Sequence, residues 1–303
     1  MRVLLTGSKG FVAQWMRDHL ESRGDDVTGL DVEVDITDGP AIADAITAAA
    51  PEAICHLAAL ASVGASWKDQ SATYQVNTFG ALNVLEAALA CNRPPRVLLI
   101  SSSEVYGRVT SDELPIAEDH PFAPVSPYAA SKAAAELIGL QAWLGKGLEV
   151  VRARPFNHTG PGQRPDFVVP ALARQVAAAV ASGTGVLETG NLEARRDITD
   201  VRDVVRAYRD LLESGTPGEV YNVCRGEAVS IEEVARRLLA LAGVDLEVVV
   251  DPARVRPVDL SELRGDPSRL HAATGWTPEI ALDDTLAAVL DYWQGPAAAA
   301  AGP

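Results

Sequence analysis

Three residue types in this chain are spaced for proton transfer to a carbonyl. Tyr128 and Lys132 stand four apart in SPYAASK, where Ser126 reads as a helix N-cap and Pro127 as the first helical residue, so phenol and ammonium share one helix face a turn apart. A phenol titrates near ~10 in water and moves protons at neutral pH only where a neighbouring cation favours its phenolate, a task for which Lys132 is placed. Upstream, the apolar run RVLLI ends in SSSEVYG, so a buried strand hands Ser101, Ser102, Ser103 and Glu104 to one edge. A hydroxyl to hold a carbonyl oxygen, a phenol to protonate it and an ammonium to tune the phenol are parts of a carbonyl reductase site. The competing arrangement is structural. Lys132 would pair with Glu136 across the next turn, worth only ~0.3–0.5 kcal/mol, and Tyr128 would pack at the rim.

A hydride donor decides between the two, and the N-terminus suggests one. TGSKGFVA follows the first apolar run and opens a helical stretch, so Gly7 and Gly10 would let the backbone approach a pyrophosphate at a positive helix end, although Ala13 stands where a third glycine is usual. Asp31 ends the next strand about twenty residues on, where a carboxylate accepts hydrogen bonds from the adenosine ribose. Asp35, read as the end of a third strand, would face the adenine amino group. Asp31 favours NAD(H), because it repels the extra phosphate of NADP(H). Lys9, inside the glycine loop, is a cation that would accept that phosphate, so NADP(H) stays possible.

The elements that must position these residues follow from periodicity. The strands RVLLT, DVTGLD, VEVDIT, AICHLAA, RVLLI and LEVVRAR alternate with Ala-rich helical stretches near residues 11, 41–49, 67–90 and 127–143. That alternation predicts an α/β fold, a doubly wound parallel sheet. After Arg154 the segment RPFNHTGPGQRP is too rich in Pro and Gly for regular structure and reads as a functional loop. The expected organisation is a dinucleotide domain over residues 1–155, with 197–223 returning to it. A smaller, mostly helical substrate domain takes 156–196 and 224–295, and 296–303 is a disordered tail.

Composition excludes several classes. With 26 Lys plus Arg against 41 Asp plus Glu, the chain carries −15 and would repel a nucleic-acid backbone. No apolar run reaches the ~20 residues that span a bilayer, and MRVLLTG is too short for a signal segment, so no membrane partner and a cytoplasmic location are expected. Cys55, Cys91 and Cys224 are odd in number and lack CxxC spacing, which suggests neither a disulfide framework nor a metal site.

TGSKGFV, HLAALASVGASW, SSSEVYG and YAASK together resemble the extended short-chain dehydrogenase/reductase superfamily, whose members act on nucleotide sugars. In the second half, RPFNHTGPGQRPDFVVPALARQ, GNLEARRDITDVRDVVRAY, GEVYNVC and RPVDLSELRGD resemble the GDP-6-deoxy-mannose reductase group, which is related to the GDP-mannose 4,6-dehydratases. The dehydratases carry an SPRRGE-like loop where this chain has TGPGQ, which places it with the reductases. The resemblance implies reduction of the 4-keto group of a GDP-4-keto-6-deoxyhexose. The alternatives are 4,6-dehydration and then 4-epimerisation, and outside catalysis a dinucleotide-sensing regulator, which would not need Tyr128, Lys132 and Ser102 together.

Carried over position by position, the resemblance makes Ser102 the partner of the sugar 4-oxygen, Tyr128 the proton donor and Lys132 its activator. Glu104 either works on protons at C5 or positions a sugar hydroxyl, and the second is favoured. Phe11, Val12, Ile36, Leu57, Ala58, Ala59 and Asn77 join the coenzyme-binding set. Ser103, Asn157, Val168 and Asn191 join Arg196 and Arg256, which would grip the diphosphate, in the substrate set. Guanidinium forks suit phosphate, and an acidic protein needs such a local pair. For Arg196 the structural alternative is an ion pair with Asp197. The resemblance also implies a homodimer built on the helices near 67–90 and 127–143.

Overall fold

The computed structural model describes residues 1–254 and 260–295; the expected tail at 296–303 lies outside the described residues. The elements run β1 (Arg2–Thr6), α1 (Phe11–Ser22), β2 (Asp26–Leu30), α2 (Gly39–Ala49), β3 (Ala53–His56), α3 (Val63–Ser66), α4 (Gln70–Tyr74), a π turn (Gln75–Phe79) and α5 (Gly80–Ala90). There follow β4 (Arg96–Ile100), a 3-10 turn (Ser103–Tyr106), α6 (Pro127–Lys146), β5 (Val150–Pro155), β6 (Asn157–Thr159), α7 (Val168–Ser182), β7 (Val186–Thr189), β8 (Arg195–Asp200) and α8 (Val201–Ser214). The chain closes with β9 (Val220–Val223), β10 (Ala228–Ser230), α9 (Ile231–Ala242), β11 (Glu247–Val250), β12 (Glu262–Leu263), α10 (Ser268–Thr274) and α11 (Leu282–Gln294).

Six parallel strands form the main sheet in the order β2-β1-β3-β4-β5-β9. Successive side chains of a strand leave on opposite faces. Val3 and Leu5 accordingly pack with α1, α8 and α10, while Leu4 packs with α2, α5 and α6. Both faces are covered, which is why the central strands β1, β3 and β4 read as apolar runs, whereas the edge strand β2 does not. The order reverses between β1 and β3, so their carboxyl ends open the crevice in which such sheets bind ligands.

Three expectations need correction. VEVDIT is not a strand: residues 31–38 form consecutive turns, in which Asp35 accepts from the N–H and the hydroxyl of Thr37, both at 2.8 Å. The sixth strand is instead β9, VYNV. The segment after Arg154 is not without structure, since Asn157–Thr159 makes β6 and pairs in parallel with β8. Finally, DITD does not rejoin the main sheet. As β8 it centres a second, small sheet with β10, β12 and β6, and only α8 and β9 return. A separate core of α7, α9 and α11 packs against Ile198 of β8.

Candidate active site

Gly7 takes φ +67°, and a Cβ there would lie 2.8 Å from the Ala58 Cα, so β1 can turn against the end of β3 only through glycine. Gly10 then caps α1 with no side-chain hydrogen bond, which leaves the first N–H groups of a twelve-residue helix facing the crevice. A tight glycine turn leading into an uncapped, positive helix end fits the pyrophosphate of a dinucleotide. Phe11 and Val12 anchor the helix start by packing on the core. Leu57, Ala58 and Ala59 line the opposite lip, and the Ala58 N–H is held by Thr6 Oγ1 at 3.2 Å.

Asp31 sits one residue past β2. One of its carboxylate oxygens accepts the Lys9 N–H at 2.6 Å and the other the Val32 N–H at 2.9 Å. The Lys9 ammonium is engaged by Glu33, whose hydrogen bond raises the lysine pKa. Glu33 was hidden in the sequence by the false strand alternation of VEVDIT. Ile36 packs beneath, against Gly80 at the start of α5.

At the adjoining end of β4, Ser102 Oγ accepts the Glu104 N–H at 3.2 Å and opens the 3-10 turn that contains Ser103. α6 begins as expected: Ser126 accepts from the Ala129 N–H at 3.1 Å, and Pro127 is its first residue. This brings the Tyr128 phenol to the Ser102 side chain and near Glu104. Burial pushes Tyr128 up to about 12, the Ser102 hydrogen bond lowers it and the Glu104 charge raises it further. The phenol is thus held protonated, as a proton donor must be. Lys132 does not pair with Glu136. Its Nζ donates to the Ile100 carbonyl at 2.8 Å, and burial brings it down to about 8.

Asn77, inside the π turn, connects the two halves of the site. Its amide accepts from Leu60 N–H at 2.8 Å and donates to Leu60 O at 3.2 Å and to Ser131 Oγ at 3.0 Å, on α6 between Tyr128 and Lys132. One widened turn in the long helical stretch makes this reach possible, a device that recurs at functional sites. Its sequence, QVNTF, carries no helix breaker that would have announced it.

The second half contributes a more open wall. Asn157 is exposed on β6, and Val168 opens α7, whose first turn has no side-chain cap. Asn191 accepts the Glu193 N–H at 3.0 Å. Arg196 lies on β8 with Nη1 2.8 Å from the carbonyls of Arg195 and Leu260. The neighbouring Asp197 carboxylate accepts the N–H groups of Arg225 and Gly226 at 2.8 Å and of Gly265 at 3.3 Å, bonds that tie three segments together at the small sheet. Arg256 lies outside the described residues.

A two-sided parallel sheet with a glycine turn at its switch point and Tyr128, Lys132 and Ser102 beside it defines an extended short-chain dehydrogenase/reductase. The family model for GDP-mannose 4,6-dehydratase matches residues 30–289, and the chain belongs to that family. It is 40% identical over 297 residues, 97% of both chains, to the GDP-6-deoxy-D-mannose reductase of Pseudomonas aeruginosa. Among solved structures it matches RMD from Pseudomonas aeruginosa complexed with NADPH at a TM-score of 0.90 and 38% identity, over 97% of this chain and 99% of that one. It also matches the Thermus thermophilus UDP-glucose 4-epimerase complexed with NAD at 0.88 and 31%, over 98% and 100%. Both of these solved structures hold a nicotinamide dinucleotide.

Proposed function

We propose that this chain reduces the 4-keto group of a GDP-4-keto-6-deoxyhexose to the alcohol. The observation that carries the reading is the grouping of the buried Tyr128 phenol with Ser102 and Lys132 at the mouth of the glycine crevice. The similarity to a GDP-6-deoxy-D-mannose reductase supports the nucleotide and the sugar class. Gly7, Gly10 and the α1 N-terminus hold the coenzyme, whose nicotinamide, when bound, supplies the hydride that C4 receives. As charge develops on the 4-oxygen, Tyr128 donates its proton to it and Ser102 hydrogen-bonds it. Lys132, fixed on Ile100 O, stabilises the phenolate that Tyr128 briefly becomes. Glu104 positions a sugar hydroxyl. Arg196, with Arg256, holds the diphosphate, and Ser103, Asn157, Val168 and Asn191 line the sugar-nucleotide path.

Dehydration and epimerisation of the same sugars are the alternatives; the loop TGPGQ, where the dehydratases carry an SPRRGE-like segment, and the 40% identity to a GDP-6-deoxy-D-mannose reductase support reduction. NAD(H) is the proposed coenzyme on the strength of Asp31, with NADP(H) the alternative. Exposed Phe79, Leu137 and Leu144, at the start of α5 and along α6, support a homodimer joined through these helices. Three free cysteines suit a reducing, cytoplasmic setting. Incubation with GDP-mannose and, separately, with its 4-keto-6-deoxy derivative tests the reading. Oxidation of NADH with the keto sugar alone is expected, whereas conversion of GDP-mannose without net coenzyme turnover would make the chain a dehydratase.

A further inference from the structure

Tyr128, Lys132 and Glu136 recur every fourth residue along α6, and the third of them lies in a buried polar cluster. Glu136 is fully buried, and Arg154 of β5 forks onto it with Nε 3.0 Å from Oε2 and Nη2 2.7 Å from Oε1. Arg152 reaches the same carboxylate with Nη1 at 3.3 Å. The other end of the Arg154 fork turns to a different segment. Nη1 donates to the Tyr106 hydroxyl at 2.8 Å and to the Glu118 carbonyl at 2.9 Å. The guanidinium also lies 4.8 Å from the Tyr106 ring centroid and 4.7 Å from that of Phe122. The Tyr106 hydroxyl in turn donates to Asn222 Oδ1 of β9 at 2.6 Å.

Tyr106 closes the 3-10 turn that Ser102 opens and that carries Glu104. One planar cation therefore touches both segments whose spacing sets the distance from phenol to hydroxyl. Apolar side chains of similar volume would fill this space at less cost than three buried charges, so a packing role alone does not account for the cluster. Lysine cannot make such a double fork.

We propose that Arg154 is a positioning residue for the reduction: by gripping Glu136 and Tyr106 together, it fixes Tyr128 on α6 relative to Ser102 and Glu104 on the 3-10 turn. The inference rests on the proposed role of Tyr128 as proton donor. A misplacement of the order of 1 Å at a reacting group costs up to about 10²-fold in rate.

Three variants test it beside Tyr128→Phe. Arg154→Met combined with Glu136→Gln removes both charges of the pair, Arg154→Lys keeps the charge without the fork, and Tyr106→Phe deletes one hydroxyl. Folding is checked by near-ultraviolet circular dichroism, coenzyme Kd by fluorescence titration, and kcat, KM and the solvent deuterium isotope effect on the 4-keto sugar. We expect kcat to fall about 10–100-fold in the first two variants and about 3–10-fold in Tyr106→Phe. The solvent isotope effect should rise while coenzyme Kd and sugar KM stay within about threefold. Should the charge variants fail to fold, Tyr106→Phe decides. Folded variants with native kcat and an unchanged isotope effect, however low their Tm, overturn the positioning role while an inactive Tyr128→Phe leaves the function standing. An active Tyr128→Phe overturns both.

Discussion

The Nζ of Lys132 lies 2.8 Å from the carbonyl oxygen of Ile100, so the catalytic helix is stitched to the last residue of the strand that delivers Ser102. Burial lowers the pKa of this lysine to about 8, which makes its charge titrate in an accessible range. Below about 8 the ammonium is present to receive the phenolate, and above it the stabilisation is lost. Reduction should therefore run at a steady kcat up to pH ~8 and decline beyond it, and in Lys132→Met the decline should vanish from a rate already about 10²-fold lower. The stability effect has the opposite sense. Between about 8 and 10.5 the unfolded chain binds the proton that the folded chain has lost, so this group makes the fold more stable as pH rises. Lys132→Met should accordingly raise the urea midpoint at pH 7 and remove part of that rise.

Glu104 acts on Tyr128 through its charge, which holds the phenol proton in place. Glu104→Gln should keep ketone reduction within about tenfold, because an amide still hydrogen-bonds a hydroxyl but exchanges no proton. Mass spectrometry of products formed in deuterium oxide provides the check. Deuterium entering C5 from GDP-mannose in the parent and not in the variant would instead assign Glu104 to elimination.

Coenzyme choice turns on three residues around the glycine loop. Asp31 is committed to the Lys9 N–H, and the Lys9 ammonium is committed to Glu33, so an incoming 2′-phosphate would meet two carboxylates before it met a cation. Repulsion from one carboxylate at ~4 Å is about 1 kcal/mol in water and about 4 at an effective dielectric of ~20. NADH should be preferred at low salt, Asp31→Ser and Glu33→Gln should each narrow the preference, and Lys9→Ala should change NADH binding little. Paired Kd measurements for NADH and NADPH in each variant decide the matter, and a native preference for NADPH would transfer control to Lys9.

Arg196 is held on β8 with Nη1 on the carbonyls of Arg195 and Leu260, which fixes its guanidinium before any ligand arrives. Arg196→Ala should weaken GDP binding by ~1.5–3 kcal/mol, the usual worth of a charge-assisted hydrogen bond, and leave NADH binding unchanged. Calorimetry with GDP and with NADH separates the two, and an unaltered GDP affinity would remove Arg196 from the diphosphate site.

Much of this was legible in the chain because it is written in local signals. The Gly7 turn, the Ser126 cap and the run RVLLI each declare themselves within a few residues, so the sheet, α6 and the Ser102–Tyr128–Lys132 grouping could be read before any coordinates. What failed depended on distant partners. VEVDIT alternates like a strand but finds no neighbour, since Asp35 spends its carboxylate on Thr37. NHT looks too short and too polar for a strand until β8 lies beside it. Helix spacing offered Glu136 to Lys132 as the competing arrangement and gave no sign of its actual partner. Arg154, eighteen residues further on, outcompetes the lysine with a bidentate fork inside the core.

The position of β9 has a consequence for how the protein is made. Its partner β5 is buried along its whole length, yet the strand that covers that edge comes some seventy residues later, with Arg152 facing Val220 and Ala153 facing Tyr221. During synthesis, five of the six strands have left the ribosome while the VVRARP edge still offers an open row of amides and carbonyls. A nascent chain paused before Val220 carries an adhesive border, and such borders recruit other strands. Newly made protein is thus most exposed to misassembly in the interval between residues 155 and 223, and chaperone demand should concentrate there.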